Sequence, residues 1–361
     1  MNFKTKIKKS SFQSELKANF KADITFDLEL SKKLESDNAV KEAAELLKSG
    51  EIVALPTETV YGLAADALNP EAVKKIFAAK GRPQDNPLIV HVSRKEQLKE
   101  LVTEIPQKAE KLMEKFWPGP LTIIFSKSLK VPDRTSAGLE TVAVRMPAHP
   151  LMLAVMEVAQ LALAAPSANT SGLPSPTRAQ HVYSDLKGKI PLILDGGPCY
   201  LGVESTVVDV RSKMVKVLRP GGISREQLAS FLGERVELAA ELKKEDDKVR
   251  SPGMKYRHYA PDKKLYVFNF DDKSYVLKKA FKKAEHKKIA LITAEESEIE
   301  IPPAETSNIK LINAFSHQKP EELAQKLFDL LRRLDADQSV DEIYIEEVDS
   351  AGMGQAVMNR I

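Results

Sequence analysis

The chain has 361 residues, one cysteine, and a net charge of +3 built from 54 basic and 51 acidic residues. That length favours about two domains with buried cores. The near-balanced charge excludes a whole-molecule field that gathers nucleic acid, the lone Cys199 excludes an intramolecular disulfide or cysteine-rich zinc site, and no apolar run reaches the roughly 20 residues that span a bilayer.

Residues 1–37 are polar and weakly patterned. Lys4, Lys6, Lys8 and Lys9 read as a solvated, frayed terminus without the apolar core of a signal peptide, and with a single cysteine a reducing, cytoplasmic setting is expected. Asp37 or Asn38 then caps a predicted helix with Val40, Ala43, Ala44 and Leu47 on its apolar face, ending at Gly50. A strand from Ile52 to Leu55 follows, then a Pro70-started helix to Ala79, a strand Leu88 to Val92, helices on either side of Pro106, and a strand Leu121 to Phe125. Further strands are predicted at Thr141 to Arg145, Leu161 to Ala165, Pro191 to Leu194, Thr206 to Val210 and Val215 to Leu218. Strands outnumber the helices between them in places, so a mixed sheet is expected. A charged run from Glu241 and the segment Ser251 to Pro261 read as a linker. Beyond it, strands at Leu265 to Phe270, Ile289 to Thr293, Ile309 to Ile312 and Ile343 to Ile345 alternate with helical stretches such as Glu321 to Leu334, a second and smaller α/β unit.

The common phosphate-loop, metalloprotease, hydrolase-elbow and Cys/His metal patterns are absent. Gly352-Met353-Gly354 looks like half of a dinucleotide fingerprint, but Val357 stands where the third glycine belongs, so a tight strand-to-helix turn is expected. Chemistry concentrates instead in loops directly after strands, where open α/β sheets place ligands: Pro56 to Leu63, Lys80 to His91, Thr141 to Pro147, Ala165 to Ser175, Gly202 to Thr206 and Arg219 to Gly222. Their arginines, lysine, hydroxyls and backbone N–H groups are what holds a nucleotide triphosphate when no phosphate loop is present. Singly, each has a plainer reading: Arg82 or Arg219 as a surface ion pair, Thr57 and Ser167 as caps, His91 as a structural histidine. Their joint occurrence favours a site.

The run Leu55-Pro56-Thr57-Glu58-Thr59-Val60-Tyr61-Gly62-Leu63, Lys80-Gly81-Arg82-Pro83 with Asn86-Pro87-Leu88 and His91, Trp117 to Thr122, and Pro166-Ser167-Ala168-Asn169 closely resemble the YrdC-type threonylcarbamoyl-AMP synthases. Gly202 to Val208, Leu218 to Gly221 and Ser251 to Pro261 look like the long, two-domain branch. The resemblance covers about residues 38–361 and leaves 1–37 unexplained. It implies an α/β fold with a twisted mixed sheet and helices around a basic cavity (38–240), a linker (241–262), and a small Rossmann-like α/β domain (263–361). Carried over by position, Thr59, His91, Arg145, Ala165 and Ser205 would surround L-threonine. Arg82, Asn86, Thr141, Ser167, Ser175 and Arg219 would hold ATP, with Tyr259, then His258, as the linker contact. Lys80, Arg82 and Arg145 would carry the catalytic charge, with no metal site on the protein and Mg²⁺ riding on the ATP phosphates.

The implied reaction joins L-threonine, bicarbonate and ATP into threonylcarbamoyl-AMP and pyrophosphate, for a downstream tRNA threonylcarbamoyl transferase that modifies the adenosine beside the anticodon. Direct tRNA binding is expected to be weak or absent, and membrane association absent. Two other readings fit parts of the pattern: a carbamoyl-adenylate-forming enzyme using carbamoyl phosphate, and a double-stranded RNA-binding module. The aromatic and basic cluster Tyr256 to Tyr259 is odd for a passive spacer, so residues 251–261 are expected to form a lid over the cavity.

Overall fold

The computed structural model describes residues 3–19, 28–239, 260–269, 273–303 and 306–361. Tyr256, His258, Tyr259 and most of the expected lid lie outside them. Asp37 starts the helix Asn38–Lys48 as the sequence predicts: its carboxylate accepts from the N–H groups of Ala39 and Val40 at 2.8 and 3.3 Å. The same carboxylate accepts from the Ser11 N–H at 2.8 Å and from the Ser10 and Ser11 hydroxyls, which ties the preceding segment to this helix.

Strands β1 (Lys6–Lys9), β2 (Val53–Leu55), β3 (Gly62–Asp66), β4 (Ile89–His91), β5 (Leu121–Ser126), β6 (Thr141–Arg145), β7 (Leu163–Ala164), β8 (Leu192–Asp195), β9 (Thr206–Asp209), β10 (Lys216–Arg219) and β11 (Glu237–Leu238) form one mixed sheet. Their order is β1-β8-β2-β3-β7-β4-β6-β5-β9-β10-β11. The lysine-rich start, expected as a frayed terminus, is instead an edge strand. β1 pairs in parallel with β8, Ile7 against Ile193, because the Asp37 contacts and a Lys8–Glu42 ion pair hold its backbone in place. β3 is likewise absent from the sequence reading. The small residues of Gly62-Leu63-Ala64-Ala65 carry little strand preference and form one only because β2 and β7 flank them, both antiparallel.

The apolar stretch after Pro150 is the buried helix Pro150–Ala159 running into β7, as its length and residue types predict. It packs against the helices Leu28–Leu34 and Asn38–Lys48 on one face of the sheet. The second unit has four parallel strands, β12 (Lys264–Phe268), β13 (Ile289–Ala294), β14 (Ile309–Phe315) and β15 (Glu342–Glu346), in the order β12-β15-β13-β14. Gly352, at φ 56°, makes the expected tight turn into the helix Met353–Met358.

The two units share a core. Val60 and Val203 of the large unit are buried among Leu323, Ala324 and Leu327 of the helix Pro320–Ala336. Gly202 is required at that contact: its φ is 75°, and a Cβ there would overlap the Ala324 carbonyl oxygen and the Gln325 backbone. Arg332 of the same helix holds Asp185 through two parallel hydrogen bonds, 2.9 and 2.8 Å, and donates to the Pro174 carbonyl.

Candidate active site

Strand alternation directs side chains two residues apart onto one face. On β4 and β6, in parallel register, His91 lies beside Arg145 and Ile89 beside Ala143. Ile89, His91 and Arg145, with Ser205 just before β9 and Arg219 at the end of β10, face the loops Pro56–Gly62 and Ala165–Leu173 across a cavity.

At one end the Thr57 hydroxyl closes the turn after β2, accepting from the Thr59 and Val60 N–H groups at 3.1 Å each. Thr59 is thereby fixed within reach of Arg145, whose NH1 donates to the Thr59 Oγ1 at 3.0 Å and whose Nε donates to the Gly119 carbonyl at 3.1 Å. The third guanidinium nitrogen forms a buried ion pair with Glu58 out of hydrogen-bond alignment, so among the described residues that nitrogen and both Glu58 oxygens lack a hydrogen-bond partner. His91 sits beside it with Nδ1 unpartnered among the described residues. Burial, then the Arg145 charge, depress the His91 imidazole to about 3, so it stays neutral and offers a ring nitrogen rather than a charge.

At the other end Lys80 is buried at the close of the helix Pro70–Lys80. Its Nζ donates to the carbonyls of Ser167 and Asn169, with Asn169 Oδ1 at 3.5 Å. Burial first, then the Arg82 charge, lower its pKa well below the ordinary lysine value, while three oxygen acceptors match the three hydrogens of an ammonium. Two of those hydrogens are committed to the Ser167 and Asn169 carbonyls, so Lys80 contributes chiefly field to the cavity. Arg82 is half-buried, with NH2 3.4 Å from the Pro87 carbonyl. Arg219 donates through NH2 to the Ser205 carbonyl at 2.8 Å and to its hydroxyl at 3.2 Å, and Ser205 shares a hydrogen bond with Thr122 at 2.8 Å.

Nine sequence-chosen residues line this cavity: Thr59, Lys80, Arg82, His91, Arg145, Ala165, Ser167, Ser205 and Arg219. Three do not. Asn86 is buried beside it with both amide atoms unpartnered among the described residues. Thr141 stands at the far end of β6 from Arg145, on the face that carries the apolar group Ile89, Ala143 and Val207. Ser175 is fully buried and donates to Glu204. Sequence reading assigned no role to Glu58, Asn169 or Glu204, although each lies inside a run it had singled out. Among the described residues Glu204 is the only carboxylate lining the cavity, against four cations: Lys80, Arg82, Arg145 and Arg219.

Residues 45–221 match the Sua5/YciO/YrdC family, described as telomere recombination, and residues 223–361 match the family described as threonylcarbamoyl-AMP synthase, C-terminal domain. The chain is 45% identical over 327 residues to the threonylcarbamoyl-AMP synthase of Pyrococcus abyssi, covering 89% of this chain and 92% of the relative. Against the enzyme of that name from Bacillus subtilis it is 44% identical over 329 residues, covering 90% and 92%. The crystal structure of P. abyssi Sua5 complexed with L-threonine superposes with a TM-score of 0.79, covering 89% of this chain and 92% of that one at 45% identity.

Proposed function

The chain belongs to the two-domain threonylcarbamoyl-AMP synthases, nucleotidyltransferases of tRNA threonylcarbamoyladenosine synthesis, and from that premise we propose how its own residues divide the work. L-threonine occupies the end formed by Thr59, His91, Arg145, Ala165 and Ser205. The unaligned Arg145 nitrogen beside Glu58 supports this reading, since a substrate carboxylate supplies the planar partner a guanidinium fork accepts. ATP lies along Arg82, Ser167 and Arg219 with its base towards the apolar face of Ile89, Ala143 and Val207, where Thr141 stands. Asn86 and Ser175 support it from the buried side. Tyr259 remains a proposed nucleotide contact.

Threonine's amine and bicarbonate give N-carboxy-threonine with loss of water. One carbamate oxygen then attacks the α-phosphorus, the bond to the β-phosphate oxygen breaks, and pyrophosphate leaves with that electron pair. No protein nucleophile is needed; alignment and neutralisation of developing charge supply the rate. Mg²⁺ enters with the triphosphate: the single lining carboxylate, Glu204, is already paired with Arg360, so the lining residues suit a metal held by phosphate and water better than one held by protein. The product passes to a tRNA threonylcarbamoyl transferase, and no described helix is long and apolar enough to cross a membrane.

The observation that carries this reading is the convergence of four cations and a neutral His91 on one cavity with a single, paired carboxylate. Mass spectrometry of a reaction with ATP, L-threonine, bicarbonate and Mg²⁺ tests it. Threonylcarbamoyl-AMP and pyrophosphate are expected only when threonine and bicarbonate are both present. Equal product without threonine, or with carbamoyl phosphate replacing bicarbonate, would show a different acceptor chemistry.

A further inference from the structure

Glu204 poses an electrostatic problem. Glu204 is a lining residue of a cavity read here as the seat of a triphosphate and an amino-acid carboxylate, and one of its carboxylate oxygens accepts from the buried Ser175 hydroxyl. An uncompensated negative charge there would repel both substrates, and one removed from water is costly in itself. The compensation comes from the second unit. Arg360, 156 residues away in sequence, has a side chain with no exposed surface, and its Nε donates to Glu204 Oε2 at 2.7 Å. The rest of the guanidinium is fixed as well: NH1 donates to Asn359 Oδ1 at 2.8 Å, and NH2 to the Pro220 carbonyl, next to Arg219, at 3.0 Å. Arg360 therefore approaches Glu204 from behind the cavity wall. It is not among the lining residues.

We propose that Arg360 is a positioning residue for the nucleotide: the second unit uses it to neutralise Glu204, so that the anionic substrates meet no bare carboxylate at that point of the wall. The inference rests on the functional reading above and deepens it, because it makes the smaller unit an electrostatic part of the site rather than only a packing partner. The other Glu204 oxygen accepts from the Ser175 hydroxyl, so the same arrangement sets the direction of that hydroxyl. Burial alone would raise the Glu204 carboxyl; the Arg360 and Arg219 charges and the Ser175 hydrogen bond outweigh it and hold the pKa below the ordinary value, which keeps the group ionised and in need of its partner.

Charge variants of the full-length protein decide the matter. Arg360→Met strips the compensation, and Glu204→Gln in the same chain then removes the charge that needed it. Isothermal titration with a non-hydrolysable ATP analogue, beside steady-state product formation, is the measurement. Arg360→Met is expected to weaken analogue binding about tenfold or more and to raise the KM for ATP more than it lowers kcat. The double variant Glu204→Gln/Arg360→Met should recover most of that affinity. Arg360→Lys keeps the charge but gives up the NH1 and NH2 contacts, so it should bind the analogue more weakly than the parent yet clearly better than Arg360→Met. Unchanged binding in folded Arg360→Met overturns the proposal, and so does a double variant no better than the single one. A folded Arg360→Lys no better than Arg360→Met overturns it too, since the guanidinium contacts and not the charge would then be at stake. Parent enzyme that makes no threonylcarbamoyl-AMP defeats the functional reading itself, whereas active parent enzyme with a broken variant pattern defeats this inference alone.

Discussion

Arg82 and the buried histidines show how single side chains set the chemistry. Arg82→Lys preserves charge but not the planar fork, so turnover should fall by about 100-fold or more while circular dichroism stays unchanged. Near-normal turnover in a folded variant would place Arg82 outside the reacting phosphates. His91 and His149 are both depressed to about 3 by burial, against roughly 6.5 in an unfolded chain. The unfolded state therefore binds protons that the folded state refuses. Their contribution to stability is complete above about pH 6.5 and is lost as pH falls towards 3, roughly 2 kcal/mol per histidine by about pH 5. His149 Nδ1 accepts from the Leu151 N–H at 3.2 Å as the cap of its helix, and asparagine can cap without titrating. His149→Asn should therefore flatten the fall of the denaturation midpoint between about pH 6.5 and 5; an unchanged slope would mean that other groups govern it.

Elements were legible in the sequence to different depths, for reasons that can be named. Helix Pro70–Lys80 announces itself twice: Asn69 caps it, accepting from the Glu71 and Ala72 N–H groups, and Gly81 at φ 61° ends it. The parallel strand β13 is a nearly continuous apolar run of the kind a sheet covered on both faces needs, and β15 carries Ile343-Tyr344-Ile345 between two glutamates. β1 and β3 stayed hidden because their strand character comes from distant neighbours. The site divides along the same line. Residue types and their places after strands marked the loops, and the family resemblance picked out nine of the lining residues within them, but the pairings of Glu58 with Arg145 and Glu204 with Arg360 join positions far apart in sequence, and only folding reveals them. Gly221 is such a case within one loop. A Cβ there would overlap the backbone of Glu204, Ser205 and Thr206, so the Arg219 loop and the Ser205 loop touch through a hydrogen. Gly221→Ala should push the two apart, costing about 1 to 3 kcal/mol of stability and raising substrate KM more than it alters secondary structure. Parent-like KM values would show that the loops tolerate the added methyl.

At the scale of the whole molecule, the shared core makes the two units one cooperative body. Calorimetry of the full chain should show a single transition, because separating the units bares Val60, Val203, Leu323 and Leu327 together. Arg332→Met removes the fork on Asp185, which also accepts from the Thr170 N–H at 3.1 Å beside the cavity. That variant should lower the midpoint by several degrees and weaken substrate binding as well; two resolved transitions in the parent would contradict the shared core. The outer margin of the large sheet follows a different logic, one of keeping copies of the protein apart. Among the described residues no strand pairs beyond β1, and behind it β8 is the buried, apolar Leu192-Ile193-Leu194. An unprotected β8 would template pairing with the same strand of another molecule, whereas β1 covers it with a short edge strand carrying Lys6, Lys8 and Lys9, charges of the kind that discourage further pairing. Removing residues 1–10 should therefore leave the site intact but promote concentration-dependent aggregation, visible by light scattering; a truncated chain that stays monomeric at high concentration would show that β8 needs no cover. The lysines read at first as a loose end serve as a guard on the sheet's open margin.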